Sequence, residues 1–119
     1  MKLLPGDVIR VWDRNTRPPK FKRHICICPD RQHFLRINSK PVFPPHLLIK
    51  ADGADFLDED SYVELQQLVR HFALEIDDAD YLGRLNATQN ALLQVAVEHC
   101  KALPIDIKEF IIERLLSVL

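Results

Sequence analysis

The sequence predicts a small, mainly β domain with helices at its C-terminal end. Two short runs of β-branched, apolar and aromatic residues, 8–12 and 24–28, lie beside turn residues in the first quarter of the chain. After Asn86, apolar residues recur at helical spacing instead. Consecutive short strands favour a small barrel or sandwich, and the later change of period places the helices after it.

The first three strands are bounded by turn chemistry. Gly6-Asp7 precedes the strand over residues 8–12, and a polar, basic loop with a Pro-Pro pair follows it over residues 13–22. Pro29-Asp30 separates residues 24–28 from residues 32–38, which predicts a hairpin of two strands.

The middle of the chain is less regular. Prolines leave residues 46–50 as a short strand, which is followed by an acidic turn. Asp60-Ser61 predicts a cap for a helical turn through residues 62–65, and residues 68–72 are interpreted as the last strand.

Two helices are expected to close the chain. Asn86 and Gln89 have the spacing of a capping box, which predicts a helix from about residue 87 to about residue 101. Asp106 and Glu109 repeat that spacing after Pro104, so a second amphipathic helix is expected to run to the end.

Length and composition favour one domain over residues 1–119, with a barrel over about 5–75 and a helical tail over about 86–119. The 47% of hydrophobic residues supplies a core without metals or disulfides. Cys26, Cys28 and Cys100 are an odd set with poor spacing for a disulfide or zinc site, so we expect three reduced, buried thiols. No metal site or cofactor is predicted.

No stretch approaches the roughly 18 apolar residues that a membrane helix needs, and the N-terminal residues lack the apolar run of a signal peptide. We therefore expect a cytoplasmic protein without a membrane partner.

The charges divide sharply along the chain. Residues 1–50 hold 11 Lys and Arg against 3 Asp, a formal charge of +8, whereas residues 51–119 hold 5 against 14 acidic residues, a charge of −9. This asymmetry predicts a surface for a polyanion on the first half. Mutual attraction of the two halves across one fold explains it equally well.

The basic residues of the first half suit a nucleic-acid backbone. Six of them are candidates to neutralise successive phosphates: Arg14, Arg17, Lys20, Lys22, Arg36 and Lys40. An exposed Trp12 or Phe21 would stack a base, although a tryptophan in a strand is more often part of the core.

The order of these pieces resembles the MazF/PemK toxin family. The resemblance rests on the Gly6-Asp7 turn before a hydrophobic strand, the basic loop, Arg23 entering the second strand, and Ser39 after the third. It continues to the Gly-x-Leu at Gly83 before a capped helix. His24 stands where the family has proline, and the helix after Pro104 extends beyond the family's short tail.

This resemblance implies an SH3-like β-barrel followed by C-terminal helices, and an endoribonuclease that cuts single-stranded RNA without a metal by attack of the ribose 2′-hydroxyl. It also implies a homodimer that is restrained by an antitoxin protein. Arg23 would stabilise the phosphoryl charge, Ser39 would bind the phosphate or orient the attacking hydroxyl, and His24 would serve as acid or base.

Each assignment has a structural alternative. Arg23 belongs equally to a solvated loop, Ser39 to a turn, and His24 to the inner side of an apolar strand with a satisfied hydrogen bond. His33 is more typical of an exposed loop residue. The function then becomes that of a barrel that binds nucleic acid or a protein without cutting.

Overall fold

Seven strands form one antiparallel sheet in the computed structural model, which describes all residues from 1 to 119. The strands are β1 (Asp7–Asp13), β2 (Lys20–Cys28), β3 (His33–Asn38), β4 (His46–Ile49), β5 (Ser61–Glu64), β6 (Val69–Arg70) and β7 (Asp80–Arg84). The helices are α1 (Ala73–Asp77), α2 (Ala87–His99) and α3 (Ile105–Leu116). The predicted mainly β fold with C-terminal helices is therefore confirmed.

The centre of the sheet is the meander of β1, β2 and β3. Val8 lies opposite Ile25, which in turn lies opposite Leu35. Gly6, with a positive φ of 92°, makes the tight turn that starts β1. Because successive strands pair through short connections, the sequence pattern alone was sufficient to predict these three strands.

The sheet is open. Its hydrogen-bonded order is β4-β5-β3-β2-β1-β7, and β6 pairs separately with the start of β3. The path does not return on itself, so β4 and β7 are its ends, and closure into a barrel remains a prediction.

The central strands contribute to a buried cluster on each face of the sheet, since successive side chains of a strand point to opposite faces. On one side, Ile25, Ile27 and Leu35 belong to a core of 18 residues that also contains residues of α2 and α3. On the other side, Cys26 and Phe34 pack in a smaller cluster of seven residues. The three cysteines are free and buried, as predicted.

Several predicted elements need correction. Residues 62–65 are not a helical turn, since they lie in β5 and its exit, and the expected strand over 68–72 is only the two-residue β6. The expected loop over 13–22 ends early because β2 begins at Lys20. Neither α1 nor β7 was predicted.

The helical tail matches the sequence more closely. The capping box of α2 is confirmed: Gln89 N–H donates to Asn86 Oδ1 at 2.8 Å, and Asn86 N–H donates to Gln89 Oε1 at 2.9 Å. The second predicted box is wrong, because α3 starts from Pro104 without a side-chain cap. No helix has the length and apolar character needed to cross a membrane.

Candidate nucleic-acid interface

A basic pocket of about 540 Å³ lies between the β1–β2 loop and the segment that follows β3. Its lining includes five cationic side chains and no carboxylate: Asn15, Thr16, Arg17, Lys20, Lys22, Arg36, Asn38, Ser39, Lys40, Val42 and Phe43. Such a lining attracts a polyanion, because no carboxylate of the lining itself competes for the cations. We call it the basic pocket.

A smaller pocket of about 220 Å³ adjoins it and shares Lys20, Lys22 and Ser39. Its remaining lining residues are Phe21, Arg23, Ile37, Asp58, Glu59 and Ser61. The smaller pocket thus combines cations, hydroxyl groups and carboxylates, which are the groups that proton transfer at a phosphate requires.

The floor of the basic pocket is a chain of hydrogen bonds that ends on Lys22. Glu64 is buried and accepts from Asn38 Nδ2 at 3.1 Å. Asn38 Oδ1 in turn accepts a short hydrogen bond from Lys22 Nζ. Because Glu64 fixes the orientation of the Asn38 amide, it also fixes the position of the Lys22 ammonium group. Burial, together with the charges of Lys20 and Arg36, lowers the pKa of Lys22.

Asp13 anchors Arg36 beside this chain. Arg36 Nε donates to Asp13 Oδ2 at 2.6 Å, and Arg36 also lies 3.4 Å from Glu64 Oε2. Burial opposes both charges, but the hydrogen bonds from His24 and Arg36 hold the pKa of Asp13 well below its usual range. Asp13 and Glu64 together raise the pKa of Arg36.

His24 lies inside the fold and lines neither pocket. Its Nε2 is 3.1 Å from Asp13 Oδ2, and its Nδ1 is 3.2 Å from the Lys22 carbonyl oxygen. Burial lowers the pKa of His24, and the neutral ring donates one hydrogen bond. Of the two interpretations of His24, the structure shows the inward-facing side chain with hydrogen-bond partners, and not a side chain in a pocket.

Arg23 and Ser39, in contrast, are brought together on the smaller pocket. Arg23 Nη2 donates to Asp58 Oδ2 at 2.8 Å, and Asp58 is largely exposed. Ser39 follows the end of β3 and is exposed at the junction of the two pockets.

The six predicted phosphate-binding residues divide into two groups. Arg17, Lys20, Lys22, Lys40 and the buried Arg36 line the basic pocket. Arg14 lines neither of the two pockets, since it binds Glu75 at 2.7 Å and stacks over the Phe72 ring at 4.0 Å.

Sequence reasoning missed Asp13, Asn38, Glu64, Asp58 and Glu59. One signal was available: Arg36 stands inside an apolar strand, and a buried arginine needs a carboxylate partner. The sequence did not say which of its carboxylates that partner was. No group of three or more His, Cys, Asp or Glu side chains comes together to hold a metal ion.

No protein-family model matches the chain, and no curated protein matches it significantly.

Proposed function

We propose that the protein is an endoribonuclease that cleaves single-stranded RNA without a metal. The observation that carries this proposal is the position of Arg23 and Ser39 on a pocket that opens beside the carboxylate-free basic pocket. The basic pocket would bind several phosphates and so hold the RNA strand, and the adjoining smaller pocket would bind the phosphate that reacts.

The reaction follows from the residues of the smaller pocket. The ribose 2′-oxygen forms a bond to phosphorus while the bond from phosphorus to the 5′-oxygen breaks, which leaves a 2′,3′-cyclic phosphate and a 5′-hydroxyl. The Arg23 guanidinium stabilises the charge that develops on the phosphoryl oxygens, and Ser39 donates a hydrogen bond to one of them.

Protons move at both ends of this reaction. His24 is buried, so the 2′-hydroxyl proton passes to Asp58 or Glu59, the two carboxylates of the smaller pocket. The Lys22 ammonium group gives a proton to the leaving 5′-oxygen, and its lowered pKa makes it a stronger acid than an exposed lysine.

The proposal extends to the fold and to the partners. β3 pairs with β2 on one side and with both β5 and β6 on the other, and this convergence of three strands on β3 supports an SH3-like barrel. An acidic antitoxin segment would neutralise the basic pocket. The exposed Leu92 and Val95, one turn apart on α2, would contribute to a homodimer contact.

A second candidate function is binding of nucleic acid without cleavage. It is favoured by one specific observation: Arg23 is already paired with Asp58, and the histidine beside it is buried. A barrel of this kind would hold RNA in the basic pocket and leave it intact.

Incubation of the wild type with mixed-sequence RNA in EDTA tests the proposal, with fragment ends analysed for cyclic phosphate. We expect cleavage by the wild type, and loss of cleavage with retained binding for Arg23→Ala. Arg31→Ala is the matched control, because Arg31 is exposed and lines neither pocket. RNA that stays intact while bound by the wild type would establish the binding function instead.

A further inference from the structure

Two aromatic and two cationic side chains lie side by side where β1 and β2 extend beyond the core, on the face of the sheet that carries Val8 and Ile25. Trp12 lies directly opposite Phe21 in the strand register, and Arg10 lies opposite Arg23. Directly opposed side chains of an antiparallel pair share one face of the sheet. These four residues therefore form one continuous surface, which we call the aromatic platform.

The two rings are unusually exposed for residues in strands. Trp12 is 41% exposed and Phe21 is 46% exposed. Their centroids are 5.1 Å apart and their planes cross at 73°, so each ring limits the movement of the other. The Arg10 guanidinium covers the Phe21 ring at 4.5 Å. Trp12 is thus the ring of the pair on which no cation is stacked.

The platform is continuous with the site of the proposed reaction. Phe21 and Arg23 also line the smaller pocket, where Lys20 and Lys22 connect to the basic pocket. Two arginines opposite each other across a strand pair repel. Each is paired with a carboxylate: Arg10 lies 3.8 Å from Asp80, and Arg23 lies 2.8 Å from Asp58. A negatively charged strand that passes along this face would relieve the same repulsion.

We propose that Trp12 stacks on an unpaired base of an RNA strand whose phosphates occupy the basic and smaller pockets. The inference rests on the proposed function and specifies its substrate: the strand must be single, because a base in a duplex already stacks on its neighbours. Phe21 and Arg10 hold the indole in position.

The test uses Trp12 as its own probe, because it is the only tryptophan in the chain. Its fluorescence is followed during titration with an oligouridylate and with an abasic ribose-phosphate strand of the same length. We expect quenching by the oligouridylate only, and weaker binding of the abasic strand.

Variants measured with labelled oligouridylate complete the experiment. Trp12→Ala should weaken binding by roughly 5- to 150-fold, the usual effect of one stacked base, while Trp12→Phe keeps most of the affinity and guards against a folding defect. Tyr81→Ala is the control, since Tyr81 is similarly exposed on β7 but lines neither pocket.

The outcomes separate this inference from the proposed function. Equal binding of both strands with unchanged fluorescence would refute the platform and leave the basic pocket intact as a phosphate site. Preference for the oligouridylate without a response of Trp12 would place the stacking elsewhere and also refute it. Failure of both strands to bind would overturn the proposed function and the platform together.

Discussion

Charged side chains beneath the basic pocket compensate one another residue by residue. Asp13 and Glu64 supply two negative charges next to Arg36 and Lys22. Removal of Arg36 would leave the buried carboxylates of Asp13 and Glu64 without their arginine partner, and breaking a buried ion pair in this way typically costs about 3–5 kcal/mol. The positions of Arg36 and Lys22 in the pocket therefore depend on two carboxylates that lie beneath its lining.

His71 is the exception among the buried polar residues, since neither of its ring nitrogens has a hydrogen-bond partner. Its ring packs against His24 and Phe34, with centroids 4.6 Å and 5.3 Å away. We predict that His71→Leu raises the free energy of unfolding at neutral pH by about 1 kcal/mol, because it removes unsatisfied polar atoms. Urea unfolding of both proteins measures the difference, and a loss of stability would contradict it.

The same variant changes the response to acid. Burial lowers the pKa of His71 to about 4, so the unfolded chain binds one more proton than the folded chain between about pH 6.5 and pH 4. Wild-type stability should fall through that window as pH decreases, by at most about 1.4 kcal/mol per pH unit for this one proton. Unfolding of His71→Leu should be less sensitive to pH there. Asp13 adds its own loss only below about pH 4, since its folded pKa is depressed.

Individual site residues could be predicted where the residue type and its place in the order of motifs indicated the same role. Arg23 and Ser39 were chosen through the order of motifs, and the fold brings both to one pocket. Asp58 and Glu59 were given no role from the sequence, because the contact between Arg23 and Asp58 joins chain segments 35 residues apart. Contacts of that separation leave no pattern in a single sequence.

Long, periodic elements were predicted better than short ones. α2 has a capping box at its start and apolar residues at helical spacing, so both its type and its start were correct. β5 has four residues, and the Asp60-Ser61 pair where it begins suits a helix cap as well as a strand. β6 and α1 are shorter still, and elements of two to five residues form because neighbours hold them, which local propensity does not encode.

α3 extends beyond the family resemblance, yet it completes the core. Ile111 and Leu115 are fully buried in the cluster of 18 residues, and the Leu115 carbonyl oxygen accepts a hydrogen bond from the buried Asn90 of α2 at 3.1 Å. The helix is therefore part of the fold and not an appendage.

Two adjacent leucines of α3 test this conclusion. We predict that Leu115→Ala lowers the free energy of unfolding by about 2–5 kcal/mol, the usual cost of a cavity in a core. Leu116→Ala is the matched control, because Leu116 is 53% exposed and should change stability by less than about 1 kcal/mol. Equal effects in chemical denaturation would contradict the role of α3 in the core.

The opposite charges of the two halves have two roles in the folded molecule. Arg14, Arg23 and Arg36 of the first half pair with Glu75, Asp58 and Glu64 of the second. Arg17, Lys20 and Lys40 form no ion pair and line the basic pocket. Both interpretations of the charge pattern thus describe part of the molecule, although the net charge is only −1.

Salt dependence measures how many of these cations meet phosphates. For single strands, each phosphate contact contributes about −0.7 to the slope of log binding constant against log salt concentration. We predict that Lys20→Gln and Lys40→Gln each reduce the magnitude of the RNA-binding slope by about that amount. Lys101→Gln is the control, since this exposed lysine lies outside both pockets. An unchanged slope in both pocket variants would place the RNA elsewhere.

The buried thiols can report when parts of the molecule unfold. Burial raises the pKa of Cys26 to about 12, and since only thiolates react readily with alkylating reagents, this side chain stays inert until the chain opens. Cys26 and Cys100 lie in the clusters on opposite faces of the sheet. Pulsed labelling with iodoacetamide, followed by mass spectrometry, would therefore reveal whether the two layers separate from the sheet together. Labelling of Cys26 and Cys100 in the same molecules would mean one cooperative event, and Cys100 labelled alone would mean that the helical layer detaches first.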